Sequence, residues 1–113
     1  MTLMQITVEE KKTALVIQIS GHMGHASVDE LNRVFAEWLG KGSQNFIIDM
    51  SRLQYISSAG LRCFFEASTK VNNLKGKLIL CGMQAEVRQV FDVSGFTSFF
   101  SICDTMPNAL KQI

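Results

Sequence analysis

The sequence predicts an α/β domain in which a mixed β-sheet of four to five strands carries about four α-helices, packed mainly on one face. Two β-rich runs open the chain, and stretches with helical periodicity then alternate with short apolar runs. Parallel strands require crossover connections, which are normally helical, so this alternation indicates a mixed sheet. A chain of 113 residues that is 47% hydrophobic is large enough for one core and too short for two. We therefore expect a single domain over residues 1–113.

The first half of the chain supplies three strands and one helix. The runs LMQITVEE and TALVIQISG are rich in strand-forming residues, and the charged segment 9–12 between them is typical of a turn. Ser27 and Glu30 have the spacing of a capping box and predict the start of a helix that Gly40 and Gly42 end. The apolar run NFIIDM is typical of a strand covered on both faces. The inner face of the helix is predicted to consist of Val28, Leu31, Phe35, Trp38 and Leu39.

The second half alternates helices and strands. An apolar stripe at three- to four-residue spacing predicts a second helix, which Gly76 ends. The run KLILCG predicts a buried strand, QAEVRQVFDVSG a third helix that Gly95 ends, and FFSI a short last strand. The segment MPNALKQI predicts a terminal helix with Pro107 in its first turn. The predicted inward residues are Leu61, Phe64, Phe65, Ser68, Val71 and Leu74 in the second helix, and Val87, Val90 and Phe91 in the third.

Composition excludes several classes of function. Eleven basic against ten acidic residues give a formal net charge of +1 without a Lys/Arg run, so neither nucleic acid nor an anionic membrane is expected as a partner. No segment approaches the roughly 20 apolar residues of a membrane span, and the N-terminus lacks the pattern of a signal peptide. We expect a cytoplasmic protein. Cys63, Cys81 and Cys103 are an odd number without a C-x-x-C pair, which predicts buried free thiols.

The stretch YISSAGLRCFF places two serines between a predicted strand and a predicted helix. This position invites a comparison with the nucleophile elbow of hydrolases. That elbow requires G-x-S-x-G, whereas the residues two before Ser57 and Ser58 are Tyr55 and Ile56. The sequence therefore does not support a serine hydrolase.

The two histidines, His22 and His25, are expected in a loop between the second strand and the first helix. Their H-x-x-H spacing suits a metal ion, but no Cys, Asp or Glu lies close enough in sequence to complete the ligands. The carboxylates form no recognisable acid/base pair, and the sequence contains neither a P-loop nor G-x-G-x-x-G. We expect no catalytic residue, no metal and no cofactor.

The paired serines suit two roles at the start of the second helix. Serine is a preferred N-cap, with a typical contribution of about 1 kcal/mol. Ala59 and Gly60 leave backbone N–H groups open to approach, and such a helix N-terminus favours an anion. A phosphate esterified to serine there would carry about −1.5 to −2 charges. The residues alone leave both a plain cap and a reversible phosphoserine switch open.

Five segments of the chain resemble the STAS-domain family, whose small members include the bacterial anti-sigma factor antagonists. These segments are ISGHMGHAS, FIIDMSRLQYISSAGLR, KLILCG, VRQVFDVSGF and ALKQI. The most specific stretch, IIDMSRLQYISSAGL, resembles the family's strand, short loop and D-S-[ST]-G-L switch motif. The resemblance implies an anti-sigma factor that is also a kinase and phosphorylates the serine after the aspartate. Only the unmodified antagonist then binds that kinase and frees the sigma factor.

The resemblance assigns phosphorylation to Ser58, with Ser57 as the alternative acceptor. Ser57 stands where the family usually has aspartate, Ala59 replaces the second Ser/Thr, and Gly24 stands where the family often has an aspartate in the facing loop. The implied partners are an anti-sigma factor acting as a switch serine kinase and a phosphoserine phosphatase. The implied partner-binding residues are His22, Gly24, His25, Ser57, Ser58, Ala59, Gly60, Arg62 and Glu66.

Three hypotheses about function differ in class. The first is a binding module, a monomer or weak dimer, that docks on the kinase unless Ser58 carries a phosphate. The second is a non-switching STAS subunit of a lipid-transport or sensory complex, with Ser58 serving as a cap. The third, an enzyme, lacks an assembled acid/base or metal set, and we do not expect it.

Overall fold

A computed structural model describes residues 4–113. The predicted α/β class is confirmed, with five strands and four α-helices in this part of the chain. Leu3, the first residue of the predicted opening strand, lies outside the described residues. The elements are β1 (Gln5–Glu10), β2 (Leu15–Met23), α1 (Val28–Gly40), β3 (Asn45–Ile56), α2 (Ser58–Asn73), β4 (Lys77–Cys81), α3 (Ala85–Ser94), β5 (Ser101–Cys103) and α4 (Met106–Lys111), with 3-10 turns at His25–Ser27 and Phe96–Phe99.

The five strands form one sheet in the order β1-β2-β3-β4-β5. β1 pairs antiparallel with β2 across the charged turn, and the three remaining pairs are parallel. Each parallel pair is joined through a helix, as crossover connections require. The carboxyl ends of β2 and β3 therefore lie side by side, and the chain enters α1 and α2 from that edge. None of the helices within residues 4–113 is long and apolar enough to cross a membrane.

Helices α1, α2 and α3 cover one face of the sheet, and α4 covers part of the other. The larger core contains Phe46 and Ile48 of β3 beneath the three helices, whereas Ile47 faces the smaller cluster around Ala109 of α4. The prediction that NFIIDM is covered on both faces is thus confirmed. The three cysteines are free and buried, also as predicted.

The predicted capping box at the start of α1 is wrong. Ser27 has helical backbone angles (φ −80°, ψ −15°), and its side chain makes no capping hydrogen bond. The 3-10 turn His25–Ser27 runs directly into α1. A capping hydroxyl typically requires an extended backbone at the cap residue, and the helical backbone of Ser27 does not direct its hydroxyl towards the N–H groups of the first turn that follows.

β3 is twice as long as predicted and has no loop before α2. Between Asp49 and Arg52, β3 advances three residues while the paired strand β2 advances two. The pairing register shifts a second time between Leu53 and Tyr55, where β3 advances two residues and β2 one. Such bulges place an extra residue in one strand and turn its side chains. Buried side chains consequently recur every third residue in this part of β3, at Met50, Leu53 and Ile56.

Three further predictions need correction. The last strand is Ser101–Cys103 rather than FFSI, because the preceding Phe96–Phe99 segment forms a 3-10 turn. Two residues assigned to the inner stripe of α2 are exposed, Phe65 to 37% and Leu74 to 50%. Leu74 follows the last residue of α2 and is the C-cap of that helix.

Candidate functional site

The start of α2 is built by Ser57, which immediately follows β3. Its backbone is extended, and its Oγ accepts a hydrogen bond from the Gly60 N–H at 3.2 Å. The Ser57 N–H donates to the Met23 carbonyl oxygen at 2.9 Å, which ties the start of α2 to the end of β2. Of the two serines that could cap α2, Ser57 is the cap.

Ser58 is the first residue of α2 and is exposed to solvent. The cap role belongs to its neighbour, so the helix start does not depend on the Ser58 hydroxyl. The amides of the first helical turn carry the positive end of the helix dipole, which stabilises negative charge within that turn. This position can therefore carry a phosphate without breaking the cap.

A groove of about 400 Å³ lies beside Ser58, between α2 on one side and α1 with the turn before it on the other. His25, Ser58, Ala59, Arg62 and Glu66, all predicted as partner-binding residues, line this groove. One imidazole, one guanidinium and one carboxylate thus line the same groove as an exposed serine. The fold brings together residues that are more than 30 positions apart in the sequence.

The other predicted partner-binding residues, His22, Gly24, Ser57 and Gly60, are not part of the groove wall. His22 belongs to β2, so its predicted place in a loop is wrong; its Nε2 pairs with Gln54 Oε1 at 3.2 Å, and its ring lies 6.0 Å from that of Tyr55. Gly24 borders open space, because a Cβ added at this position would have no atom within 4 Å. Ser57 is the N-cap of α2.

Gly60 is buried, and its role is close packing. A Cβ at this position would lie 2.8 Å from Ile56 Cγ1 and 3.1 Å from Met23 Sδ. These side chains come from the ends of β3 and β2. Gly60 therefore lets α2 pack closely against the sheet, and this packing positions Ser58. Gly60 itself is buried and presents no surface to a partner.

Sequence reasoning missed Val28, Asn32 and Cys63, which complete the groove wall. The Cys63 thiol donates to Asn32 Oδ1 at 3.1 Å and so links α2 to α1. Burial raises the pKa of the Cys63 thiol to about 12, and the Glu66 carboxylate adds to this effect. The thiol stays protonated and acts as a donor, not as a nucleophile. The sequence gives no local signal for the two groove residues of α1, because Val28 belongs to the predicted inner face of α1 and Asn32 lies on an exposed part of that helix.

Within residues 4–113, no group of three or more His, Cys, Asp and Glu side chains could hold a metal ion. His22 pairs with Gln54, whereas His25 lines the groove. The H-x-x-H spacing is therefore divided between a strand and a turn.

The cap predicts different effects for substitutions at the two serines. Ser57→Ala should lower the free energy of unfolding by about 1 kcal/mol, because the Gly60 N–H loses its acceptor. Ser57→Asp should largely retain stability, since aspartate is an equally good cap. Ser58→Ala is the matched control and should stay within about 0.5 kcal/mol of wild type. Urea unfolding measures all three, and equal losses for Ser57→Ala and Ser58→Ala would contradict the assignment.

Comparisons with known proteins agree with this architecture. The family model of the STAS domain matches residues 5–109. The candidate anti-sigma factor antagonist BtrV of Bordetella bronchiseptica is 32% identical over 102 residues, which cover 90% of this chain and 88% of BtrV. An anti-sigma factor antagonist from Mycobacterium paratuberculosis superposes with a TM-score of 0.89 at 18% identity, covering 98% of this chain and 94% of its own.

The anti-sigma factor antagonist SpoIIAA shares the same fold. Its unphosphorylated form superposes with a TM-score of 0.82 at 20% identity, covering 96% of this chain and 95% of SpoIIAA. The Bacillus protein in its phosphorylated form gives a TM-score of 0.74 at 20% identity, covering 96% of this chain and 98% of its own. At this level of identity the likeness establishes the fold.

Proposed function

The chain belongs to the STAS domain family, and from that membership we propose that it is an anti-sigma factor antagonist whose binding is switched by phosphorylation of Ser58. Unmodified, it docks on an anti-sigma factor that is also a serine kinase. Phosphorylation of Ser58 releases that partner, and a phosphoserine phosphatase restores binding. The chain acts as one cytoplasmic module over residues 1–113 and as a binding protein rather than an enzyme.

The observation that carries this proposal is the division of roles between the two serines. Ser57 caps α2 through Gly60, and Ser58 is exposed beside it. A non-switching subunit that uses Ser58 as a cap finds no support, since that role is already filled. The description of BtrV as an antagonist points in the same direction.

The groove offers a surface on which a phosphate changes binding without changing the fold. A phosphoserine at position 58 adds about −1.5 to −2 charges at the edge of a groove that already contains Glu66. Arg62 lies in the same wall, one turn along α2, where it can partly balance that charge. A partner that fits the neutral surface would then have to bury an unpaired charge, which is costly. The switch thus acts at the interface itself.

The neutral residues at two positions that are usually acidic in the resembling family fit the same scheme. Serine and aspartate are comparable N-caps, so Ser57 retains the local structure while removing a charge next to Ser58. Gly24 removes a second negative charge, from the position that follows β2. We propose that these changes alter how the kinase recognises the site and leave the switch in place.

Mapping of the phosphate tests the proposal. The chain is incubated with ATP and each purified anti-sigma factor kinase from its own organism, and the products are mapped by mass spectrometry. We expect one phosphate, on Ser58, and none on a Ser58→Ala variant. A phosphate on Ser57 alone would move the switch to the cap residue. If neither these reactions nor protein isolated from its native cells shows a phosphate, the chain is a non-switching subunit and the proposal fails.

A further inference from the structure

Three aromatic rings form a surface patch beside α2. Phe65 of α2 lies 5.7 Å from Phe96 and 5.6 Å from Phe99, and the latter two rings are 6.1 Å apart. We call Phe65, Phe96 and Phe99 the aromatic patch. Phe99 is 60% exposed and Phe65 is 37% exposed, whereas Phe46, Phe64 and Phe91 are fully buried. Phe96 is half-buried and packs against the larger core, so Phe65 and Phe99 form the exposed part of the patch.

The 3-10 turn that carries two of these rings is held in place by polar contacts. The Thr97 hydroxyl donates to Asp92 Oδ1 at 2.6 Å, and Arg88 donates to the same oxygen at 3.3 Å. The Phe96 N–H donates to Ser94 Oγ at 3.4 Å, and Gly95 adopts the left-handed conformation (φ 81°) that ends α3. These contacts fix the direction in which the turn presents its rings.

The aromatic patch continues the exposed stripe of α2 that begins at Ser58. Residues three or four apart share one face of a helix, and Ser58, Arg62 and Phe65 follow this spacing with exposed side chains. Seven residues separate Phe65 from Ser58, which corresponds to about 10 Å along the helix axis. The groove borders this stripe on the α1 side, and the two other rings of the patch come from the connection between α3 and β5.

The area of the patch decides what can cover it. With about 200 Å² for a phenylalanine side chain, the exposed parts of Phe65 and Phe99 amount to on the order of 200 Å². A stable protein interface buries about 800 Å² on each partner. The aromatic patch alone is therefore too small to hold a second copy of this chain. Joined to the stripe and groove around Ser58, it becomes the apolar end of one larger interface.

We propose that the aromatic patch is the apolar anchor of the surface that binds the anti-sigma factor. The partner presents apolar or aromatic side chains about 10 Å from the point at which it meets Ser58. Phenylalanine is enriched at protein interfaces, and a few buried anchors carry most of the binding energy, so the patch sets affinity while Ser58 sets the switch. This inference rests on the proposed function of the chain.

Site-specific cross-linking tests the inference. A photoreactive benzoylphenylalanine is placed at position 99 or, as control, at position 74, where the exposed Leu74 ends the same helix. Each full-length chain is irradiated in an extract of its native cells, with and without Ser58→Asp, and the adducts are identified by mass spectrometry. We expect an anti-sigma factor to be cross-linked at position 99, and we expect this adduct to be lost with Ser58→Asp. At position 74 the anti-sigma factor should form no adduct. Phe99→Ala should also weaken its binding roughly ten-fold, and Leu74→Ala less than about two-fold.

Two results would overturn the inference while leaving the proposed function intact. In the first, an anti-sigma factor is captured in a way that depends on Ser58 but forms no adduct at position 99. This result counts whether position 99 is cross-linked to nothing or to a second copy of this chain. The other is wild-type affinity in a Phe99→Ala variant that unfolds at the wild-type temperature. An adduct that persists in the Ser58→Asp variant would instead contradict the switch and, with it, this inference.

Discussion

A Ser58→Asp variant is expected to lose roughly 100-fold or more of its affinity for the anti-sigma factor. Ser58 is exposed at the first position of α2, so the new carboxylate leaves the cap at Ser57 untouched. The partner, however, must cover a charge where it normally meets a hydroxyl. An unpaired buried charge costs about 3 kcal/mol or more, and each 1.4 kcal/mol corresponds to a ten-fold change in affinity. Isothermal titration of the purified partner measures the loss.

The matched control is Asn73→Asp, which adds the same charge at the other end of α2. Asn73 is exposed and lies fifteen residues from Ser58, about 22 Å along the helix. This variant should bind within about two-fold of wild type, and Ser58→Ala should bind even in the presence of kinase and ATP. Undiminished binding of Ser58→Asp would rule out the switch. An equal loss in Asn73→Asp would show that net charge, rather than position, controls binding.

The parts of the fold that follow regular periodicity could be predicted from the sequence. The apolar run around Phe46 and Ile48 identified a strand buried on both faces, and the alternation of helices and strands identified the mixed sheet. The cap of α2 was also predictable, because a serine after a strand and before a helical stripe has few other structural uses. These predictions depend on local patterns, which tertiary contacts here reinforce.

The remainder depends on contacts between distant segments. The short loop expected before α2 came from the resemblance to the family. In the structure Met50, Leu53 and Ile56 are buried at every third residue, and the bulged pairing with β2 makes that spacing compatible with a strand. Phe65 looked like a core residue because its neighbours on α2 are apolar. Phe65 instead lies at the surface beside Phe96 and Phe99, a contact between distant segments that no local pattern specifies.

The site shows the same division between local and distant information. Ser58 and Arg62 belong to one stretch of sequence and were found together. Asn32 was missed because its contact with Cys63 joins two helices, and its own neighbourhood is typical of a solvated helix face. The aromatic patch was missed for a similar reason, since its rings come from two elements more than 30 residues apart.

Gly76→Ala is expected to lower the free energy of unfolding by about 3 kcal/mol or more. The sequence suggested that Gly76 ends α2, but the left-handed residue there is Lys75 (φ 62°). Gly76 is needed because the chain passes directly over the residue that precedes β3: a methyl group would overlap the carbonyl oxygen of Gln44 and lie 2.8 Å from its carbonyl carbon. Backbone atoms cannot rotate away as a side chain can, so the cost should reach or exceed the usual upper range for overpacking.

The Gln44 carbonyl that blocks this methyl group also starts the pairing of β3 with β4. It accepts a hydrogen bond from the Lys77 N–H at 3.0 Å, while the Gly76 N–H donates to the Val71 carbonyl oxygen near the end of α2. Relief of the overlap would therefore lengthen either the hydrogen bond between β4 and the residue before β3 or the hydrogen bond between Gly76 and the end of α2. Gly40→Ala is the control, because no atom lies within 4 Å of the added carbon and alanine favours a helix. The midpoint of thermal unfolding should fall by roughly 10 °C or more for Gly76→Ala and should not fall for Gly40→Ala. Similar midpoints for the two variants would mean that β3 and β4 can separate at this point without loss of stability.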